Sequence, residues 1–320
     1  MQLSKRIPNM NGILVVDKPI GMTSHDVVNY IRRLTGVRRI GHTGTLDPIA
    51  TGVLPVCIGV ATKAARFLQD ADKVYRAEIV LGMTTDTYDC EGEVITECEV
   101  TNTKGEIIDA ILSFQGEMEQ IPPMYSAIKK DGKKLYELAR QGIEVEREPR
   151  KVNISAMSVL KVDMENYTVD IEVECSKGTY IRSLCNDIGK KLKCGAYMNK
   201  LRRIKTHSFD ISQAYTLKQI LDMNADKKLQ AAMMNPDKIF INCPKIMLNY
   251  RQADSVYHGV QLTWPSGEEG RIYRIYSPKN RFMCISECRK HRLVILQTFW
   301  SGDEDDVFSD STVSEIKEIQ

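Results

Sequence analysis

Two stretches of strict alternation constrain what this chain can become. Over residues 73–83, Tyr75, Ala77, Ile79 and Leu81 fall on one side of an extended backbone, with Arg76 and Glu78 on the other. Over residues 167–175, Tyr167, Val169, Ile171, Val173 and Cys175 share a side, and Asp170, Glu172 and Glu174 oppose them. Both read as strands with one face on a core and one in water, and residues 152–162 supply an antiparallel partner for the second. Elsewhere the apolar period becomes helical. Thr23 or Ser24 can cap a helix carrying Val27, Val28, Ile31 and Leu34, and Gly36 ends it. Further helices are expected over 61–69, over 107–114, and from Gly178-Thr179-Tyr180 through Leu192, which puts Arg182 in a first turn. Short apolar runs at 12–17 and 53–58 read as strands, and basic residues 200–204 as another. Two short helices follow, to about Asn235.

Between a basic pair, Arg38-Arg39, read as a helix end, and the 53–58 strand lies Gly41-His42-Thr43-Gly44-Thr45-Leu46-Asp47-Pro48-Ile49-Ala50-Thr51-Gly52. It holds one carboxylate among residues that bend sharply. Gly41, Gly44 and Gly52 permit positive φ or close approach. Pro48 pushes Asp47 out of the helical region, and the threonines can bond the loop to itself. On its own such a loop is most often a turn. As a site, it would hold a single carboxylate still beside a substrate. A phosphate-binding loop is excluded, because no G-x-x-x-x-G-K-[ST] occurs. A dinucleotide site is excluded too, because no G-x-G-x-x-G follows a strand.

The chain has 320 residues, enough for two domains. No apolar run is long enough to span a membrane, and residues 1–10 lack the apolar core of a signal peptide. Nine scattered cysteines read as reduced core residues of a cytoplasmic protein. Cys284, Cys288 and His291 have metal-like spacing but no fourth ligand nearby, so no metal is expected. The net charge of +2 is uneven. Seven acids against Lys317 give residues 302–320 a net of −6, which leaves +8 on the rest. Basic clusters at 129–134, at 147–151 and at Arg202-Arg203-Lys205 suit a polyanion.

Two prolines exclude regular structure from Gln120-Ile121-Pro122-Pro123-Met124-Tyr125-Ser126-Ala127. The charge-rich residues after it are expected to project from the core. Composition shifts at Asn242-Cys243-Pro244. Short strands at 261–263, 271–276, 282–286 and 293–298 then read as a small β-barrel. The acidic tail has too few apolar residues to fold.

Taken together, the Asp47 loop and four other stretches resemble the TruB family, the synthases that make pseudouridine in the T-loop of transfer RNA. The four are Asp17-Lys18-Pro19-Ile20-Gly21-Met22-Thr23-Ser24, Tyr75 with Leu81-Gly82-Met83-Thr84-Thr85-Asp86, Pro122-Pro123-Met124-Tyr125-Ser126-Ala127-Ile128-Lys129, and Ser176-Lys177-Gly178-Thr179-Tyr180-Ile181-Arg182-Ser183-Leu184. Order and spacing match from about residue 12 to residue 210. The resemblance implies an α+β pseudouridine synthase fold: a mixed, mostly antiparallel central sheet flanked by helices, with the active cleft across it. It implies a catalytic domain over 1–242 with a thumb-like insertion at 124–150. A PUA-like RNA-binding barrel is implied over 245–302, and the acidic tail, 303–320, lies outside the pattern.

The resemblance also assigns roles. Asp47 is the essential catalytic residue, as nucleophile or as base, and the residues do not choose between them. Arg182 is its ionic partner, and Tyr75 stacks on the target base. Lys18, Pro19, Tyr180 and Leu201 shape the pocket floor. The target base must be flipped out of the folded loop, and His42 fills the vacated space. Lys129, Lys130, Arg202 and Arg203 contact RNA phosphate. No cofactor is implied, since the isomerisation needs no redox step and no activated donor. The implied partner is the T arm of transfer RNA, not a membrane. A monomer is expected, because no long apolar surface pattern stands out. Competing readings are an RNA-binding protein without catalysis and an aspartate-nucleophile hydrolase or phosphotransferase, and the second would want a nearby second acid or a metal cluster.

Overall fold

A computed structural model describes residues 10–68 and 71–300. The expected alternation becomes a nine-stranded sheet. Its main path runs Gly12–Lys18, Thr51–Ile58, Ala196–Thr206, Lys73–Leu81, Thr168–Cys175, Arg150–Asp163, Gly116–Gln120. Every pairing on this path is antiparallel except that between Thr51–Ile58 and Ala196–Thr206. Ile40–His42 adds to the edge of Thr51–Ile58.

Coverage explains the two kinds of strand. Helices Ser24–Thr35, Lys104–Leu112 and Ile181–Leu192 pack one face of the sheet into a continuous core. The opposite face of Lys73–Leu81 and Thr168–Cys175 meets solvent, so Arg76 and Glu172 pair there at 2.9 Å and the sequence alternates. Gly12–Lys18 and Thr51–Ile58 are buried on both faces, and their sequences run apolar without a break over 12–16 and 52–58. Their second face packs against Phe209, Ile239 and Phe240, and against Tyr276, Phe282, Ile285 and Phe299 of the C-terminal unit.

That unit is a curled half-barrel of five strands, Lys245–Met247, Ile272–Tyr276, Phe282–Arg289, Arg292–Thr298 and Leu262–Thr263 in spatial order. It also holds a helix, Tyr250–Tyr257, that the sequence reading did not anticipate, capped by Asn249 and Gln252.

The first helix has the cap expected of Thr23, in a reciprocal pair with Asp26, and a left-handed Gly36 at its end. It stops at Thr35, so Arg38 and Arg39 belong to the following loop rather than to a helix end. Residues 61–68 form a 3-10 turn and one short helical turn. Tyr167, expected in the core, turns the hairpin with φ 50 and is 40% exposed. The positive φ takes it off the strand before alternation can bury it. Of the nine cysteines, all free, Cys90 and Cys98 are exposed rather than in the core. The projection after Ser126 is a two-residue hairpin, Lys129–Lys130 with Lys133–Lys134, and a short helix, Leu135–Ala139, whose Leu135 and Leu138 are buried. The acidic tail lies outside the described residues. Among the described residues no helix is long and apolar enough to cross a membrane.

Candidate active site

Asp47 sits on a loop pinned on both sides of it. Before it, the Ser24 hydroxyl accepts from Leu46 N at 2.8 Å and lies 3.2 Å from Leu46 O. After it, the Pro48 carbonyl accepts from Gly21 N at 2.9 Å and from Lys18 Nζ at 3.2 Å. The Asp47 carbonyl itself accepts from Ala50 N at 3.0 Å. At Gly52, φ is 100 and an added Cβ would lie 2.2 Å from the Arg203 carbonyl, so glycine alone lets the two parallel strands meet there.

Lys18 is fully buried at the end of its strand and also donates to Pro19 O at 3.0 Å and Met22 O at 2.5 Å. Three carbonyls thus take its ammonium, which ties the 19–22 turn to the Asp47 loop. Burial pushes the Lys18 ammonium down to about 8, with the Asp47 carboxylate opposing that shift.

Arg182 stands in the first turn of Ile181–Leu192. Its Nη2 lies 3.1 Å from Asp47 Oδ2, with the arginine side chain 6% and the aspartate 37% exposed. A buried cation thus holds a carboxylate that still opens to solvent. The other nitrogen, Nη1, lies 3.2 Å from Asp89 Oδ2. Asp89 is itself buried and receives Thr87 Oγ1 at 2.6 Å and Glu91 N at 3.1 Å on its second oxygen. Arg182 completes its set on the carbonyls of Thr87 at 3.4 Å and Tyr125 at 2.9 Å.

Sequence reasoning missed Asp89. Its segment reads as a polar turn between strands Met83–Thr85 and Val94–Glu97, and no spacing separates an acid that folds inward from one that faces water. Main-chain bonds from Met198 N to Tyr88 O and from Cys90 N to Met198 O, both 3.0 Å, fold that turn onto the sheet.

Two phenols lie within electrostatic reach of Asp47. Tyr75 is 8% exposed, and burial raises its hydroxyl pKa against the pull of the neighbouring Arg203 guanidinium. Burial raises the Tyr180 phenol as well, opposed by the nearby Ser126 hydroxyl. The charge of Asp47 acts on both rings. Leu201 is buried, and its carbonyl accepts from Thr51 Oγ1 at 3.4 Å. Pro19 is half-buried on the turn that Lys18 holds. His42 ends Ile40–His42, half-buried, with Nδ1 enclosed and unpartnered among the described residues. Burial lowers its pKa, so the ring is neutral near pH 7.

The basic residues separate. Lys129 and Lys130 are exposed on the projecting hairpin. Arg202 is partly exposed and grips Asp17 with both nitrogens, at 3.1 and 2.8 Å. Arg203, expected on an RNA surface, is 1% exposed instead. Its side chain points to the opposite face from Arg202, donating to Val53 O at 2.7 Å and to Gly44 O at 3.1 Å. It braces the Asp47 loop from inside.

The family model for TruB family pseudouridylate synthase (N terminal domain) matches residues 32–181, and that for the tRNA pseudouridylate synthase B C-terminal domain matches 182–240. The chain is 54% identical to a tRNA pseudouridine synthase B of Alkaliphilus oremlandii, over 82% of this chain and 90% of the relative. It is 42% identical to the protein of the same name in Clostridium acetobutylicum, over 90% of this chain and 99% of the relative. A solved Cbf5-Nop10-Gar1 complex contains a chain of the same fold, with TM-score 0.69 and 26% identity over 91% of this chain and 85% of that one. A second neighbour in fold comes from an H/ACA RNP bound to a substrate RNA containing 2'-deoxyuridine, with TM-score 0.70 and 24% identity over 93% of this chain and 87% of that one.

Proposed function

This chain belongs to the TruB family of pseudouridylate synthases, and on that premise we propose that it isomerises the T-loop uridine of transfer RNA, U55, to pseudouridine, with Asp47 as the essential residue. One observation carries the reading: a half-open carboxylate, held at 3.1 Å by a buried guanidinium, on a loop fixed before and after it.

The reaction breaks the bond from uracil N1 to ribose C1′, turns the base, and forms a bond from C5 to C1′. N1 gains a proton and C5 loses one, so atoms balance without redox chemistry or a donor, and no cofactor is required. Arg182 pairs with the Asp47 carboxylate at 3.1 Å and fixes its orientation. As a nucleophile the carboxylate attacks the base or the sugar; as a base it takes a sugar proton. Tyr75 stacks on the uracil, and Tyr180, Leu201, Lys18 and Pro19 shape the floor. The T-loop buries its uridine, so the base is flipped out, with the neutral ring of His42 in its place. Lys129 and Lys130, with Arg202 beside the Asp47 loop, meet backbone phosphate of the T arm. The half-barrel, whose strands run from Lys245–Met247 to Arg292–Thr298, serves as the core of a PUA-like second RNA-binding domain, 245–302, beside a catalytic domain over 1–242. Such a substrate places the enzyme in the cytoplasm. One chain supplies every residue of this site, which suits a monomer.

A purely RNA-binding role would leave the half-open Asp47 with nothing to act on. The test is pseudouridine mapping on an unmodified transfer RNA transcript incubated with the protein and no added metal. A single new pseudouridine in the T-loop supports the proposal. Product at another position would discard the substrate, and no product with binding intact would discard the activity.

A further inference from the structure

Resting on that reading, we propose that Gln120 is a positioning residue for the reaction: its buried carboxamide sets the main chain of Tyr180 and thereby aims both the Tyr180 ring and the Arg182 guanidinium at Asp47. Gln120 ends the edge strand Gly116–Gln120, and its side chain turns inward, 1% exposed. Its Oε1 accepts from Tyr180 N at 2.8 Å, and its Nε2 donates to Tyr180 O at 3.0 Å. The partners fix the amide orientation, since a backbone N–H can only donate and a carbonyl only accept. One side chain thus does for Tyr180 what a neighbouring strand would do.

Tyr180 needs such a partner. It is the residue at which Ile181–Leu192 begins, and no side chain caps that helix. The strand Thr168–Cys175 has ended five residues earlier, so no ladder bond reaches Tyr180. Its φ of −100 and ψ of 110 are extended, and the next residue is helical. A chain that changes conformation at one residue is free to rotate there unless its polar groups are held; the Tyr180 carbonyl also accepts from Leu184 N at 3.1 Å, and its N–H is held by Gln120 at 2.8 Å. Arg182 stands two residues on, at the start of the helix, so a small rotation about Tyr180 swings its guanidinium relative to Asp47.

Two further contacts run from the same segment to the same helix start. Arg182 Nη2 donates to Tyr125 O at 2.9 Å, and Ser183 Oγ donates to Ile121 O at 3.2 Å. Of these residues only Gln120 holds both polar groups of one backbone unit. The proline-bearing segment that it begins leads into the lysine hairpin, so the catalytic arginine and the projection share one anchor.

The test compares native protein, Gln120→Met, Tyr180→Phe and the double variant on the same transcript. Single-turnover rates are measured per folded enzyme, RNA affinities separately, and folded fractions by thermal melting. Methionine matches glutamine in length and offers the backbone nothing. Gln120→Met should slow the single-turnover step about 10- to 100-fold, the scale of a misplaced reacting group, with RNA affinity within about threefold of native. The loss in the double variant should fall well short of the product of the two single losses, because both act through Tyr180. A Gln120→Met rate within twofold of native per folded enzyme would overturn the proposal. So would an affinity loss equal to the rate loss, or fully multiplicative losses. If Gln120→Met does not fold, Gln120→Glu decides in its place: it keeps an acceptor for Tyr180 N but sets a carboxylate oxygen against Tyr180 O, and a folded enzyme at native rate would refute the role of the anchor. A native protein that forms no pseudouridine would instead count against the activity itself.

Discussion

Asp89 holds Arg182 through Nη1 at 3.2 Å and is as deeply buried as the arginine. The guanidinium is thereby shared between a closed acid and an open one, since Asp47 takes Nη2 at 3.1 Å. Without Asp89, one edge of the fork loses its charged partner and the planar group can turn away from Asp47. Asp89→Asn should therefore lower the single-turnover rate about 10- to 100-fold, with transfer RNA affinity changed less than about threefold. Rate and affinity falling together in a quench-flow and filter-binding comparison would mean that Asp89 supports the fold rather than the site.

Lys18 gives a pH signature. Its ammonium is held at about 8 in the fold, against 10.5 in the free chain. Between those values the unfolded chain still carries a proton that the folded protein has released. Stability contributed by this group therefore rises as pH rises through that window, and below it the cost of burying the charge is present in full. In Lys18→Met this contribution vanishes. The melting-temperature difference between native and variant should shift in favour of native from pH 8 to pH 10.5. A constant difference across that range would contradict the burial of a charged Lys18.

Much of this was legible in the sequence, for physical reasons that differ by residue. Tyr75 and its strand were readable because a sheet with one wet face imposes a period of two, and Ser24–Thr35 because its cap and its glycine stop are local signals. The nearness of Arg182 to the Asp47 loop followed from a helix start placed after a strand, together with the family resemblance. Arg203 was misread because adjacent basic residues on a strand look alike in sequence, and only the register shows which one faces in. Asp89 and Gln120 were not legible, since each acts through a contact across the fold, 93 and 60 residues away along the chain. The Tyr250–Tyr257 helix was hidden by its position among short strands.

The half-barrel shares a core with the catalytic sheet. Phe240 lies with its ring centroid 6.0 Å from Phe299, which stacks on Phe282 at 5.1 Å, in one cluster with Ile13, Val15 and Val53. Truncation after Asn242 removes Tyr276, Phe282, Ile285 and Phe299 from that cluster. At roughly 1.5–3 kcal/mol for each buried side chain, about 6 kcal/mol or more is lost. Scanning calorimetry should show the melting temperature falling by at least about 10 °C. A truncated protein that melts like the full chain, and only binds RNA less well, would show the two units to be independent.

The central claim is that Asp47 performs chemistry rather than binding, and Asp47→Asn tests it most directly. Native protein and variant are compared for affinity and for pseudouridine formed in a single turnover on the same transcript. Asparagine keeps the shape and removes the charge that Arg182 holds. The expected result is no detectable product with affinity within about tenfold of native, since one side chain makes little of the RNA surface. Product formed at an appreciable fraction of the native rate, or product lost together with RNA binding, would contradict the account.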